Sequence, residues 1–364
     1  ARSRLIERDM VTEAQTIRSE SCSATSPDRT FANRVLDVRD LRVSYQTPRG
    51  PVRAVNGVSF FLRAGERLGL VGESGSGKTT TALSLMRLIQ PPAVIEGGQV
   101  LLDGKDLLSL SEEEMRRARF AEIALIPQGA MNSLNPMMKV GEQLRDTMRA
   151  HLDGESGARR DLRIQESLES VGLRPDVMQA YPHELSGGMK QRVCIAMGIL
   201  LSPKVIIADE PTSALDVVIQ RQVMETIGRV QEELGAAVIL IGHDMGLMVQ
   251  FVDRLAVMYG GKLAEMGDVR AMFRDPLHPY TQLLIKSLPK LDDKGELTGI
   301  PGVAPSLLNA PAGCLFHVRC PQAMAVCRTV TPPLMEIRPQ WQVACHLYDE
   351  VRTAAATPAQ EGIR

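Results

Sequence analysis

Gly72-Glu-Ser-Gly-Ser-Gly-Lys78-Thr79 fits the phosphate-loop pattern G-x-x-x-x-G-K-[ST] at every position. It follows an apolar stretch, residues 67–71, that reads as a buried strand, and it precedes residues 79–89, which read as a helix. That context gives the composition a physical meaning. Glycines let the backbone close around an anion, so that N–H groups and the start of the helix point at phosphate oxygens. Gly72, Ser74, Gly75, Ser76 and Gly77 would form that cradle, continued by Thr80 in the helix. Lys78 would place a cation at the β- and γ-phosphates, and the Thr79 hydroxyl would ligate Mg²⁺.

Downstream, Val205-Ile-Ile-Ala-Asp209-Glu210 ends an apolar strand in two carboxylates. Ligands of open α/β sheets gather at such strand ends. By itself an apolar strand ending in Asp-Glu is common. After a phosphate loop it assigns Asp209 to Mg²⁺ and Glu210 to the attacking water. The strands then alternate with helices: residues 35–45, 55–62, 98–102, 123–126, 238–241 and 255–259 read as strands. Residues 140–178 are helical in pattern around a loop at Gly154–Gly157, an insert rather than part of a sheet, and Ser111 and Glu114 have capping-box spacing. The fold class is α/β, with buried parallel strands and helices on both faces.

The whole chain sets outer bounds. It has 364 residues, 44% hydrophobic and 23% charged, with a net charge of −1 and 4% aromatic residues. Such a surface gives no footprint for nucleic acid. No run approaches the roughly 20 apolar residues needed to cross a bilayer, and residues 1–34 carry no secretory pattern. The expected compartment is the cytoplasm. Residues 1–34 read as a mobile leader, and 351–364 as a disordered tail. From residue 289 Pro and Gly dominate, and the expectation is little regular structure.

Leu185-Ser186-Gly187-Gly188-Met189-Lys190-Gln191-Arg192 resembles the signature motif of ABC ATPases, which plain P-loop kinases and GTPases lack. The other elements of that family follow in order: Tyr45 resembles the adenine-stacking aromatic, Gln128 the Q-loop glutamine, Ser213-Ala-Leu-Asp216 the D-loop, and His243 the switch histidine. The resemblance implies an ABC nucleotide-binding domain over residues 35–288, with a mixed core sheet, an antiparallel β subdomain and a helical subdomain at about 140–190. It implies Glu210, His243 and Gln128 as catalytic. Tyr45, the phosphate loop, and Ser186, Gly187, Gly188 and Asp216 would bind ATP. Thr79, Gln128 and Asp209 would hold Mg²⁺.

Met131-Asn-Ser-Leu-Asn-Pro136, Asp275-Pro-Leu-His-Pro-Tyr-Thr281, Ile300-Pro-Gly-Val-Ala-Pro-Ser-Leu and Cys314-Leu-Phe-His-Val-Arg-Cys320-Pro narrow the resemblance. They are like the oligopeptide/dipeptide (peptide/nickel-type) importer ATPases. That implies a peripheral subunit on the cytoplasmic face of a bacterial or archaeal membrane. Its partners would be two permease subunits, a second ATPase and an extracytoplasmic solute-binding protein, with no nucleic acid. Oligosaccharides or metal chelates are alternative cargo, and a soluble non-transport ABC ATPase is the alternative of another class. Two departures stand out: Gly242 where Thr is usual, and Gly129-Ala130 where Asp-Pro is commoner.

Cys314, Cys320, Cys327 and Cys345 are spaced C-x5-C-x6-C-x17-C, while Cys22 and Cys194 stand apart. In a reducing compartment such clustering favours metal over disulfides. The family resemblance implies a [4Fe–4S] cluster in a small metal-binding extension, residues 289–350. Zn²⁺ is the alternative, with His317 or His346 replacing a thiolate, and four free thiols remain a third option.

Overall fold

A computed structural model describes residues 33–129, 133–152, 154–213, 215–288 and 299–350. The expected leader (save Asn33 and Arg34), Cys22, Ala130–Asn132, Ala214, the start of the Pro/Gly stretch and the tail lie outside the described residues.

Strands β1 (Arg34–Thr47) and β2 (Gly50–Arg63) form a long hairpin and are followed by β3 (Arg67–Val71) and helix α1 (Lys78–Leu85). Next come β4 (Ala93–Leu102), β5 (Lys105–Asp106), α2 (Glu112–Ala118) and β6 (Ile123–Ile126). The insert supplies α3 (Val140–Arg149), α4 (Gly157–Ser170) and α5 (Gly187–Ile199). The alternation resumes with β7 (Val205–Asp209), α6 (Val217–Leu234), β8 (Ala237–Ile241), α7 (Met245–Phe251) and β9 (Arg254–Tyr259). Then follow β10 (Lys262–Asp268), α8 (Val269–Arg274), α9 (Pro279–Lys286), β11 (Met335–Arg338) and β12 (Trp341–Val343).

Two sheets result. One is antiparallel with order β2-β1-β4-β5; the other is mixed, with order β11-β12-β10-β9-β3-β8-β7-β6. Strands β6, β7, β8, β3 and β9 run parallel in the mixed sheet, and β10, β12 and β11 continue it antiparallel. Side chains alternate across it. Val205 and Ile207 of β7, Ala237, Ile239 and Ile241 of β8, and Ala256 and Met258 of β9 enter the core shared with the antiparallel sheet. Ile206, Ala208, Val238, Leu240, Leu255 and Val257 enter the core shared with the inserted helices. A strand buried on both faces must be apolar throughout, which is why these segments read as continuous runs. The insert is helical because Val140, Leu144 and Met148 of α3, and Ile164 and Leu168 of α4, fall on one face each. The capping box at Ser111 forms as its spacing predicts.

The region after residue 299 is better ordered than its composition suggests. Its hairpin β11–β12 extends the mixed sheet, with Glu265 opposite Val343 and Met266 opposite Gln342. Phe316, Trp341 and Val343 join the core of the mixed sheet. The short apolar residues there pack on a pre-existing surface, so no periodicity of their own is needed. Glu265, fully buried on β10, accepts hydrogen bonds from the N–H groups of Leu277, His278 and the Trp341 indole at 2.8–2.9 Å. A buried carboxylate stays only where such donors replace water. Burial lowers the His278 pKa to about 4, so the ring is neutral and its Nδ1 accepts from the Tyr280 N–H at 3.0 Å. Together these bonds bind β10, the start of α9 and the terminal hairpin into one polar knot.

Candidate functional site

The phosphate loop joins the C-terminal end of β3, which lies between the parallel strands β9 and β8, to α1. Two of its glycines are demanded by close approach. Gly72 has φ 148° and a Cβ there would lie 2.2 Å from the Met258 carbonyl oxygen; Gly77 has φ 102° and its Cβ would lie 2.2 Å from that of Ala54. Neither backbone oxygen has room to yield.

Lys78 is buried, and its Nζ donates to the carbonyl oxygens of Gly72 and Glu73 at 2.9 and 3.0 Å. Burial lowers its pKa, opposed by the carboxylates of Glu210, Asp209 and Glu73. Thr79 donates to Asp209 Oδ1 at 3.3 Å. Burial raises the Asp209 pKa; the Thr79 bond lowers it, and adjacent Glu210 raises it. A cation placed beside Asp209 would relieve that penalty. The donors shown there, the Thr79 hydroxyl and the Asp209 and Glu210 carboxylates, are hard oxygens that fit Mg²⁺.

Glu210 sits just past β7 with φ 46°, a conformation few non-glycine residues adopt. Its Oε2 accepts from Gln128 Nε2 at 2.5 Å, and its Oε1 lies 2.6 Å from His243 Nε2. The tight turn swings the carboxylate between two polar side chains from the ends of β6 and β8. Such a cluster can hold and polarise a water at a phosphorus centre. Tyr45 of β1 reaches Thr80, hydroxyl to hydroxyl, at 3.3 Å.

The remaining sequence-marked residues lie at the starts of two other helices. Ser186 is exposed and caps α5, accepting from the Met189 N–H at 3.3 Å; Gly187 and Gly188 open that helix. Asp216, also exposed, caps α6 through the Ile219 N–H at 3.0 Å. Among the described residues no hydrogen bond joins these caps to the phosphate loop. Of the two departures, Gly242 leaves its space to the Met248 side chain, 2.6 Å from where a Cβ would be, and Gly129 has φ 65° with open space beside it.

The cysteine expectation needs correction in part. Among the described residues no group of three or more His, Cys, Asp or Glu is arranged to hold a metal ion. A four-thiolate zinc site would draw its sulfurs within about 4 Å of one another, so a ready-made single-ion site is absent there. The histidine alternatives are engaged as well. His317 Nδ1 bonds the Cys314 carbonyl at 2.7 Å, and both His346 nitrogens are taken, by Asp349 at 2.8 Å and the Val330 carbonyl at 2.9 Å. The thiols are nonetheless mutual neighbours. Burial pushes Cys345 up to about 12, its bond from the Leu347 N–H opposes this, and Cys314, Cys320 and Cys327 raise it further. Backbone N–H groups also aim at Cys314 and Cys320, from Phe316 and Gln322. Cys194, away from this cluster in the sequence, is buried, and that burial pushes its pKa up to about 12.

What sequence reading missed is a set of residues around Glu73. Arg319 pairs with its carboxylate, and the Tyr280 hydroxyl accepts from its N–H at 2.9 Å. No motif spacing links positions so far apart in the chain.

This sheet arrangement and loop are those of a P-loop ATPase of the ABC type. A family model described as ABC transporter matches residues 55–213, and one described as oligopeptide/dipeptide transporter, C-terminal region, matches residues 264–327. The chain is 46% identical over 318 residues to the oligopeptide transport ATP-binding protein OppD of Salmonella typhimurium, covering 86% of this chain and 94% of that one. It is 44% identical over 320 residues to the dipeptide transport ATP-binding protein DppD of Bacillus subtilis, covering 87% and 96%. A bacterial ABC transporter cassette solved as a dimer superposes with a TM-score of 0.58 at 26% identity, covering 65% of this chain and 99% of that one. A post-hydrolysis state of that cassette, bound to ADP and Pi, gives the same values. The chain belongs to the family of oligopeptide/dipeptide ABC transporter ATP-binding proteins.

Proposed function

We propose that this chain binds and hydrolyses ATP to drive import of peptides through a membrane transporter, with residues 35–288 as its nucleotide-binding domain. One observation carries the catalytic part. Thr79, Asp209, Glu210, Gln128 and His243, from four separate segments, gather at the lysine of a phosphate loop. In this reading loop N–H groups and Lys78 bind the phosphates, and Tyr45 stacks on adenine. Glu210 aligns water for attack at the γ-phosphorus as the bond to ADP breaks, and His243 and Gln128 hold Glu210 in place. Mg²⁺, held by Thr79, Asp209 and Gln128, would supply charge neutralisation at the β- and γ-phosphates.

The names of the relatives support the cargo class. Shared-site assembly is supported by the exposed Ser186 cap and by Val217 and Val218, 81% and 67% exposed beside Asp216. Ser186, Gly187, Gly188 and Asp216 would complete the ATP site of a second ATPase subunit. Among the described residues no helix is long and apolar enough to cross a membrane. Two permease subunits would do so, fed by an extracytoplasmic binding protein, with this chain on the cytoplasmic face. ATPase activity should therefore rise steeply with protein concentration or on adding the permease subunits, and again with peptide-loaded binding protein. Full activity from a demonstrated monomer would count against the shared site.

For the extension, residues 289–350, the reading retains a thiolate-held [4Fe–4S] cluster on Cys314, Cys320, Cys327 and Cys345. Its support is the mutual field of the thiols and the N–H groups aimed at them. A cluster spaces its thiolates on separate irons and needs no single-ion arrangement. Protein purified without oxygen should carry iron and sulfide in about equal amounts and absorb near roughly 400 nm. Colourless protein with one zinc per chain would replace this assignment with zinc.

A further inference from the structure

We propose that Arg319 is a positioning residue for the phosphate site, through which the cysteine-bearing extension sets the affinity of this chain for nucleotide. The proposal rests on reading residues 72–79 as the nucleotide site.

Glu73 follows the first glycine of the loop, and three external or internal constraints meet on it. Both of its carboxylate oxygens accept from the Arg319 guanidinium, at 2.7 and 2.8 Å. Its N–H donates to the Tyr280 hydroxyl at 2.9 Å. Its carbonyl accepts from the Ser76 N–H at 3.2 Å and from Lys78 Nζ at 3.0 Å. The residue gripped from outside is thus one whose carbonyl orients the lysine ammonium.

Arg319 is itself held firmly. Its side chain is only 5% exposed, and its other N–H contacts go to the carbonyls of Pro301 and Ile300 and to the Tyr259 hydroxyl, at 2.8, 3.3 and 3.2 Å. The guanidinium carbon lies 5.8 and 6.0 Å from the ring centroids of Tyr259 and Phe316. Tyr259, Tyr280 and Phe316 pack on one another with centroids 4.7–5.2 Å apart. Arg319 immediately precedes Cys320 and lies in the turn that begins at Cys314, with its N–H on the Phe316 carbonyl at 2.9 Å. The cysteine segment therefore ends in a planar fork inserted against the loop.

A loop with three glycines among its first six residues loses much conformational freedom when it closes on phosphate. A bidentate charged pair whose arginine is buried meets part of that cost in advance. Lysine cannot reproduce the fork or its three further contacts.

The test compares full-length variants for affinity toward a fluorescent ATP analogue with Mg²⁺, and for KM and kcat in the assembled transporter. Limited proteolysis reports docking of the extension. Arg319→Ala should weaken nucleotide binding and raise KM about tenfold, as loss of a charged hydrogen-bonded pair implies, with kcat within about twofold. Arg319→Lys should recover only part of the affinity. Glu73→Gln keeps the arginine packed; it should weaken binding with protease resistance unchanged, and the double variant should be no worse than Arg319→Ala. Lys78→Ala is the reference. Wild-type affinity in Arg319→Ala or Glu73→Gln, with binding lost in Lys78→Ala, would overturn the proposal and leave the nucleotide site standing. Wild-type affinity in Lys78→Ala would overturn the site on which it rests.

Discussion

Glu210→Gln should lower ATP turnover in the assembled transporter by at least about 100-fold while leaving ATP affinity within a few-fold of the unmodified chain. The carboxylate sits past the end of β7, gripped by Gln128 and His243, and none of its hydrogen bonds goes to the phosphate loop. Glutamine preserves size and can still bond both neighbours. What it lacks is the negative charge that polarises water, a contribution made chiefly in the transition state. Loss should therefore fall on kcat, and ATP-bound pairs of subunits should accumulate, visible by size-exclusion chromatography with Mg²⁺ and ATP. Glu210 raises the Lys78 pKa, so its negative charge is felt at the loop; removing that charge makes the potential there more positive, which favours retention of an anionic nucleotide. Turnover at the wild-type rate would show that another group activates water.

Phe316→Ala should destabilise the seat of the extension by about 3–5 kcal/mol, the range for removing a fully buried aromatic ring. Phe316 is 2% exposed and lies against Tyr259, Tyr280 and His278 with centroids 5.2–5.9 Å away. Those three residues lie on β9 and at the start of α9, so the ring is the apolar plug between extension and core sheet. Truncation leaves a cavity that the Glu265 knot prevents from collapsing. Denaturant should release residues 299–350 first, with protease cleavage there preceding loss of the parallel strands. Nucleotide affinity should fall in step, since Arg319 moves with the same turn. Unchanged protease resistance would mean that the hairpin β11–β12 alone anchors the segment.

Much of this molecule is legible in its order of residues. Strands buried on both faces are apolar at every position, so residues 205–208 and 238–241 announce themselves. The phosphate loop combines glycines, lysine and threonine in an order that few other structures demand. Asp209 and Glu210 become meaningful only after that loop is seen, because their chemistry depends on what lies beside them. The helical insert shows its amphipathic faces through Val140, Leu144 and Met148. The extension misleads for a related reason: Phe316, Trp341 and Val343 are scattered, and scattered apolar residues suffice when a finished core waits to receive them.

Sequence by itself determined the parallel core, the phosphate loop and the family to which the chain belongs, since each is written in local patterns that physics constrains tightly. Tertiary structure alone decided how Glu210 meets Gln128 and His243, and that Ser186 and Asp216 cap their own helices with exposed side chains. It also decided that Arg319 grips Glu73 across 246 positions of sequence. Local pattern follows from backbone geometry and the burial of neighbouring side chains, whereas these pairings depend on where the sheet order brings distant strand ends, which no spacing along the chain records.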